Sequence, residues 1–521
     1  MAGANAQALV NAMQPPVMGL NFRKPAIDLD PREALLLDNI LPKANAGELR
    51  GGYRDWVVGV PGQVVSIMPF IGRVTAEDKL LCANDQGEIY DVTSFGAPPV
   101  LLTKTYQSDG VWDYTNTSGV TENFLIMVSP AGGYWTYSVT DGLVNRSISG
   151  DGAGKKFGAV YNFKDRVWLL EDGTTVGYYL GVSAIWGEAT EFDFSPVINQ
   201  GGYLSFGTNW TYNAGRDIDD YMVVVTTQGE VIVYSGFNPD EADSFALKGV
   251  WYVGRIPRGR RCFTTFGGDV FIMSSLGVVA LSKLVNGNVA NDYDVASSAI
   301  QPSLNTRFTS QANDFGWEME MFYSQSFMLL KLPVQPSGIH KNFVMNTQTG
   351  AWGTISGMPM VCTTQVADKV FFGTADGKVC EAFTANSDGE GIDGTEGKPI
   401  QGTYMSGYQS FEQGGGVRLK MFQMARPIFV SARPPAVALK MQADYGAILP
   451  TVSGGFGRED GGRFNYNEFN NTSWSGSERT YAAWVGLQGM GYYGSLAMVF
   501  TGDPGTQYIT TNVTMTIGGV M

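Results

Sequence analysis

The sequence predicts a mainly β protein: a β-propeller of six or seven blades, a small C-terminal β-domain, and an N-terminal arm with one short helix. The first observation is a recurring hairpin in which a hydrophobic run, a polar turn and a second hydrophobic run follow one another. It appears at Asp78–Thr93, Glu122–Trp135, Lys164–Tyr179, Asp219–Tyr234, Gly267–Leu281 and Ala367–Ala382. The second is spacing. The turn glycines Gly87, Gly132, Gly173, Gly229 and Gly277 recur roughly every 40 to 56 residues, the range of one four-stranded blade. The third is composition: 67 glycines among frequent Val, Thr, Tyr and Trp favour many short strands joined by tight turns.

Taken in order, residues 1–52 form an arm of different texture. Within it Asp30 is placed as an N-cap, Pro31 as the first helical residue and Glu33 as the third, a capping-box-like start for a short helix. Leu35, Leu36 and Leu37 would give its buried face, and Pro42 prevents a long continuation. Residues 53–385 hold the hairpins. Dividing this span by about 45 residues per blade gives the six or seven blades, whose sheets bury both faces against neighbours. Residues 386–402, rich in Gly and acidic side chains, read as a linker. Residues 403–521 return to strands such as RPIFVSA and SLAMVF, with a Gly/Asn/Ser-rich loop from Ser453 to Ser477.

Composition narrows function. A 44% hydrophobic and 16% charged chain is not disordered. No run reaches the roughly 18 apolar residues of a membrane helix, so membrane insertion is not expected, and the N-terminus lacks a signal-peptide pattern. The net charge of −14 opposes sequence-reading DNA binding. Cys82, Cys262, Cys362 and Cys380 are scattered without a C-x-x-C pair and read as buried thiols. His340 is the one histidine, which disfavours histidine-based metal sites and triads.

Catalytic motifs are sought with little return. GMGYYG (Gly489–Gly494) matches a dinucleotide string but sits in no βαβ unit. GDGAGKK (Gly150–Lys156) lacks the first Gly and the Ser/Thr of a phosphate loop. The acidic stretches Asp388–Gly397 and Arg216–Asp220 lack EF-hand spacing. Blade turns such as SPAGGYW lack the aspartate of sialidase boxes. No cofactor, metal or catalytic residue is therefore expected. The exception to the acidic background is RIPRGRR, which sets Arg255, Arg258, Arg260 and Arg261 within seven residues. Such a cluster suits an intersubunit or interdomain ion pair, or a phosphate contact; its bland reading is a solvated loop.

Several of these segments also carry a likeness. D-P-R-E-A-L (Asp30–Leu35), D-D-Y before a Val-rich strand (Asp219–Tyr221), G-E-V-I-V-Y-S-G followed by Asn238-Pro239, and the G-R-R turn at Gly259–Arg261 are the points of contact. With VRLKMFQMARPIFV (Val417–Val430) and AVALKMQADYG (Ala436–Gly446), the chain resembles the tail nozzle, or packaged-DNA stabilisation, proteins of short-tailed bacteriophages. That group is similar in architecture to tail tubular protein B. The resemblance implies a structural virion protein, assembled in the host bacterial cytoplasm and resident in the tail. It implies a homo-hexameric ring that retains packaged DNA and conducts it on ejection. Partners implied are the adaptor and portal-side proteins, spike, fibre or needle proteins, and double-stranded DNA passing without sequence-specific binding. Six copies of a chain at −14 would make a negative conduit that DNA slides through. Two other readings stand beside it: a carbohydrate-binding or glycan-cleaving propeller on the tail, and a soluble bacterial propeller scaffold.

Overall fold

Each of the six recurring hairpins becomes the second and third strands of a small antiparallel sheet in the computed structural model. That model describes residues 8–105, 108–213, 218–241, 244–259, 261–287, 295–335, 338–412, 418–452 and 479–518. The Gly/Asn/Ser-rich loop expected at Ser453–Ser477 lies outside the described residues. Among the described residues, six sheets of four propeller strands run around a common axis. The first four start at Val64–Phe70, Asp113–Ser118, Phe157–Phe163 and Leu204–Asn213. A three-stranded sheet (Phe263–Phe266, Asp269–Ser274, Gly277–Ala280) stands next, and the helix Leu281–Val285 follows its last strand directly. The fifth blade comprises Glu318–Phe322, Phe327–Lys331, Lys341–Asn346 and Trp352–Ser356.

The sixth blade closes the ring with chain from both ends of the propeller. Cys362–Val366, Lys369–Gly373 and Lys378–Ala385 supply three strands, and Gly52–Val58 adds the fourth, running from Lys378↔Val58 to Ala385↔Gly52. Turn geometry explains the glycines. Gly229, at φ 89°, leaves the chain so close to Gly254 that a Cβ would stand 1.8 Å from its carbonyl oxygen. In the second hairpin the left-handed residue is Gly133 (φ 89°), one position beyond the expected Gly132. Blade faces interlock through large apolar groups. Tyr161, Trp168, Tyr179, Phe194, Tyr234 and Phe245 fill the seam between the third and fourth blades. Burial of each such side chain contributes about 1.5–3 kcal/mol.

The arm differs from its expected form. Glu33–Asp38 is a strand, and the helices of the described residues include Leu281–Val285 and Gln301–Gln311, elsewhere in the chain. The local capping signal is nevertheless used. Glu33 Oε2 accepts the Asp30 N–H at 2.8 Å, and the Glu33 N–H reaches Asp30 O at 2.8 Å. The reciprocal bonds make a turn rather than a first helical turn. Ala34, Leu36, Leu37 and Asp38 then pair with Ser406, Met405, Tyr404 and Thr403, which buries Ala34 and Leu37 completely. Pairing with a distant strand overrides a weak local preference.

The expected division into linker and separate C-terminal domain also changes. Ser387–Glu390 lies parallel to Gly52–Val58, so the acidic Gly-rich segment is partly strand within the sixth blade's sheet. Beyond it, Gln401–Ser406, Gly494–Thr501 and Ala436–Ala443 extend the sheet of the fifth blade, joined to it through Gly19–Leu20 and Glu33–Asp38. A second large sheet is built on two long strands, Lys420–Ser431 and Gln507–Ile517, and receives Ala8–Met13 from the arm. One core cluster runs through the arm, the three-stranded sheet, the fifth blade and the C-terminal strands. It includes Leu37, Val270, Trp317, Trp352, Tyr404 and Phe500.

Arg50 holds the junction. It is 1% exposed, and all five of its N–H donors are used. Nε donates to Asn39 Oδ1 (2.8 Å), Nη1 to Gly51 O (2.9 Å) and Asp388 Oδ1 (2.8 Å), and Nη2 to Ser356 O (2.7 Å) and Asp388 Oδ2 (2.7 Å). Arg50→Met should lower stability by about 3–5 kcal/mol, because Asp388 is left charged and largely buried. Arg50→Lys should recover little, since a single ammonium cannot span these acceptors. Denaturant unfolding followed by tryptophan fluorescence checks this; an unchanged transition in both variants would contradict it.

Candidate functional site at the propeller axis

The arginine turn sends one of its members into the axis. Gly259 bridges to Trp317, where a Cβ would lie 1.8 Å from the Trp317 carbonyl oxygen, and the Met319 N–H donates to Arg261 O at 2.8 Å. This close approach fixes the start of the three-stranded sheet against the fifth blade. Arg261 then reaches the inner strand of the second blade. Its Nη2 donates to Tyr114 O at 2.6 Å and stands 3.4 Å from Asp113 Oδ1, and its guanidinium carbon lies 3.8 Å from the Tyr114 ring centroid. The Tyr114 hydroxyl is hydrogen-bonded to Thr364 Oγ1 of the sixth blade at 3.0 Å. Side chains from three separated sheets thus meet across the axis.

Carboxylates surround that crossing. Asp113 Oδ2 accepts the Val160 N–H at 2.8 Å. On the fifth blade, Glu318 and Glu320 alternate with Met319 and Met321, which face the core. Glu318 Oε2 accepts the Thr363 N–H at 3.2 Å and lies 3.7 Å from the ammonium of buried Lys331. Burial pushes the Glu320 carboxyl up to about 8; Arg261 opposes the shift and Glu318 adds to it. Burial disfavours the Arg261 cation, yet Tyr114, Asp113 and both glutamates outweigh that and hold it charged.

Beside the crossing lies a cavity of about 320 Å³, walled by inner-strand residues of the second, third and fourth blades and of the three-stranded sheet. Asp113, Tyr114, Asn162, Thr208, Asn209 and Arg261 are among its lining. The Asn162 amide donates to Thr115 Oγ1 (3.1 Å) and Asn116 O (2.8 Å), which stiffens one wall.

The other arginines of the cluster lie apart. Arg255 is exposed and donates to Asn313 Oδ1 at 2.6 Å; Arg258 is exposed, with its backbone N–H on Ala312 O at 2.8 Å. Arg260 lies outside the described residues. The structure joins Arg261 to partners within its own chain that sequence reading did not single out: Asp113, Tyr114, Glu318 and Glu320. The pattern Glu-Met-Glu-Met-Phe was a usable signal, because alternation places two carboxylates on one face of an inner strand.

Other motifs have structural uses. Asp220 pairs with Lys164 at 2.9 Å, Met490–Gly491 pairs with Lys420 and Met421, and Lys155 approaches Glu171 at 3.3 Å. All four cysteines are buried thiols, and none forms a disulfide among the described residues. Among the described residues no cluster of three or more His, Cys, Asp or Glu side chains has the geometry to hold a metal, and no helix is long and apolar enough to cross a membrane.

No protein-family model matches the chain, and no curated protein matches it. Solved structures do show likeness. One is the crystal structure of BBS1N in complex with ARL6DN, at 9% identity and a TM-score of 0.27, covering 42% of this chain and 61% of that one. Another is the extracellular domain of the putative hybrid two component system BT3049 from B. thetaiotaomicron. It shows 12% identity and a TM-score of 0.39, and covers 63% of this chain and 40% of that one. The chain thus spans less than two thirds of the length of these structures. The assignment as a propeller rests on the sheet topology of the chain itself.

The raised Glu320 group has a pH consequence. Its native form holds a proton between the ordinary value of 4.5 and about 8, where the unfolded chain has released it. Stability from this group is full below about pH 4.5 and is lost as pH rises toward 8. Glu320→Gln should therefore flatten the fall in melting temperature between pH 5 and 8. Parallel pH profiles for variant and wild type would contradict the assignment.

Proposed function

We propose that this chain is a structural, non-enzymatic wall protein of a short-tailed phage tail nozzle, which retains packaged DNA and conducts it on ejection. The observation that carries the reading is the crossed axis. Arg261–Tyr114 and Tyr114–Thr364 contacts link three non-adjacent sheets across the propeller axis, so a duplex has no path through a single chain. A conduit would then lie between copies, with the propellers as its wall. The resemblance of Asp30–Leu35, Gly229–Gly236 and Ala436–Gly446 to nozzle proteins supports the same reading, as does the charge of −14.

A ring needs surface for neighbours. On the C-terminal sheet, register places Val10, Thr514 and Met424 in one row and Thr516, Met421 and Met490 in the next. Val10, Met421, Met424 and Met490 are 60%, 58%, 40% and 63% exposed, an apolar face suited to a second copy or to the adaptor. Exposed Arg255 and Arg258 would face carboxylates of a neighbour at the rim.

Two measurements test this. Particles assembled without the chain should fill with DNA and then lose it; full genome retention would contradict the proposal. Sedimentation of the purified protein should show a monomer that assembles only on a tail, and a stable free hexamer would contradict that order of assembly.

A further inference from the structure

We propose that the axial cavity binds a small neutral polyhydroxylated ligand, about the size of one sugar residue, through Arg261, Asp113, Thr208 and Asn209. The cavity volume of about 320 Å³ falls at the lower end of the range for small-molecule sites. Its wall mixes donors and acceptors. Arg261 makes its hydrogen bonds through Nη2, and among the described residues Nε and Nη1 have no hydrogen-bond partner. Asp113 is an acceptor only, the Asn209 amide makes no side-chain hydrogen bond among the described residues, and the Thr208 hydroxyl has only a long 3.4 Å contact to Asn209 O. Hydroxyl groups both donate and accept, so a polyol satisfies this mixture where a purely accepting or purely donating ligand does not. Phe206 and Phe263 close one side of the same cavity, their rings stacked on each other at 4.6 Å.

Charge selects against the alternatives. An anion would gain Arg261 but meet the Asp113 carboxylate in the wall, with Glu318 near the same guanidinium. A cation would meet Arg261 itself. The inference is independent of the nozzle reading, because it concerns the inside of one propeller and not the assembled ring.

The test is ligand-observed NMR on the purified full chain with glucose, galactose and N-acetylglucosamine, and with inorganic phosphate and ethylammonium as charged probes. At least one sugar should bind saturably and both ions should not. Asn209→Ala, at an exposed position, and Thr208→Val, which keeps side-chain shape, should each weaken sugar binding roughly three- to tenfold. Unchanged melting temperatures would show that the variants remain folded. The proposal is overturned if no sugar binds, if phosphate or ethylammonium binds in its place, or if both folded variants bind sugar as wild type does.

Discussion

A single buried guanidinium, that of Arg50, ties the N-terminal arm to the sheets of the fifth and sixth blades. A fully desolvated charge is costly unless every donor finds an acceptor, and here each does. The acceptors come from the arm (Asn39), the residue leading into the ring-closing strand (Gly51), the end of the fifth blade (Ser356) and the segment leaving the propeller (Asp388). Arg50 immediately precedes Gly51 and the strand Gly52–Val58 that completes the sixth blade. Closure of the ring and docking of the arm are therefore coupled by geometry.

The same logic recurs at the axis on a smaller scale. Inner strands of a propeller bring backbone and side chains from distant blades within reach, and Arg261, Tyr114 and Thr364 use that proximity to brace the ring from inside. The brace leaves a polar cavity beside it and closes the axis as a route for anything as wide as a duplex. The arm and C-terminal strands add two extended sheets beyond the blades.

Legibility from sequence followed contact range. The hairpins were readable because each is made by residues adjacent in the chain, whose period-2 patterning and turn glycines need no distant partner. The strand Glu33–Asp38 was misread as helix because Asp30 and Glu33 carry a real capping signal, while the pairing that decides the outcome, with Gln401–Ser406, leaves no local mark. The acidic run at Asp388 looked like linker because its partner, Arg50, is 338 residues away. At the axis, the arginine cluster stood out in an acidic chain, but only the fold distinguishes Arg261, which turns inward, from Arg255 and Arg258, which stay outside. Its partner Tyr114 is 147 positions distant, and no spacing rule links them.

The central claim is that the propeller is wall and that the conduit lies between copies. A cryo-EM reconstruction of the intact tail with its genome in place tests this most directly. The account expects copies of this chain arranged as a ring, DNA density along the ring axis, and none within any propeller. DNA density threading a propeller, or the chain located on the capsid shell or the fibres, would contradict it.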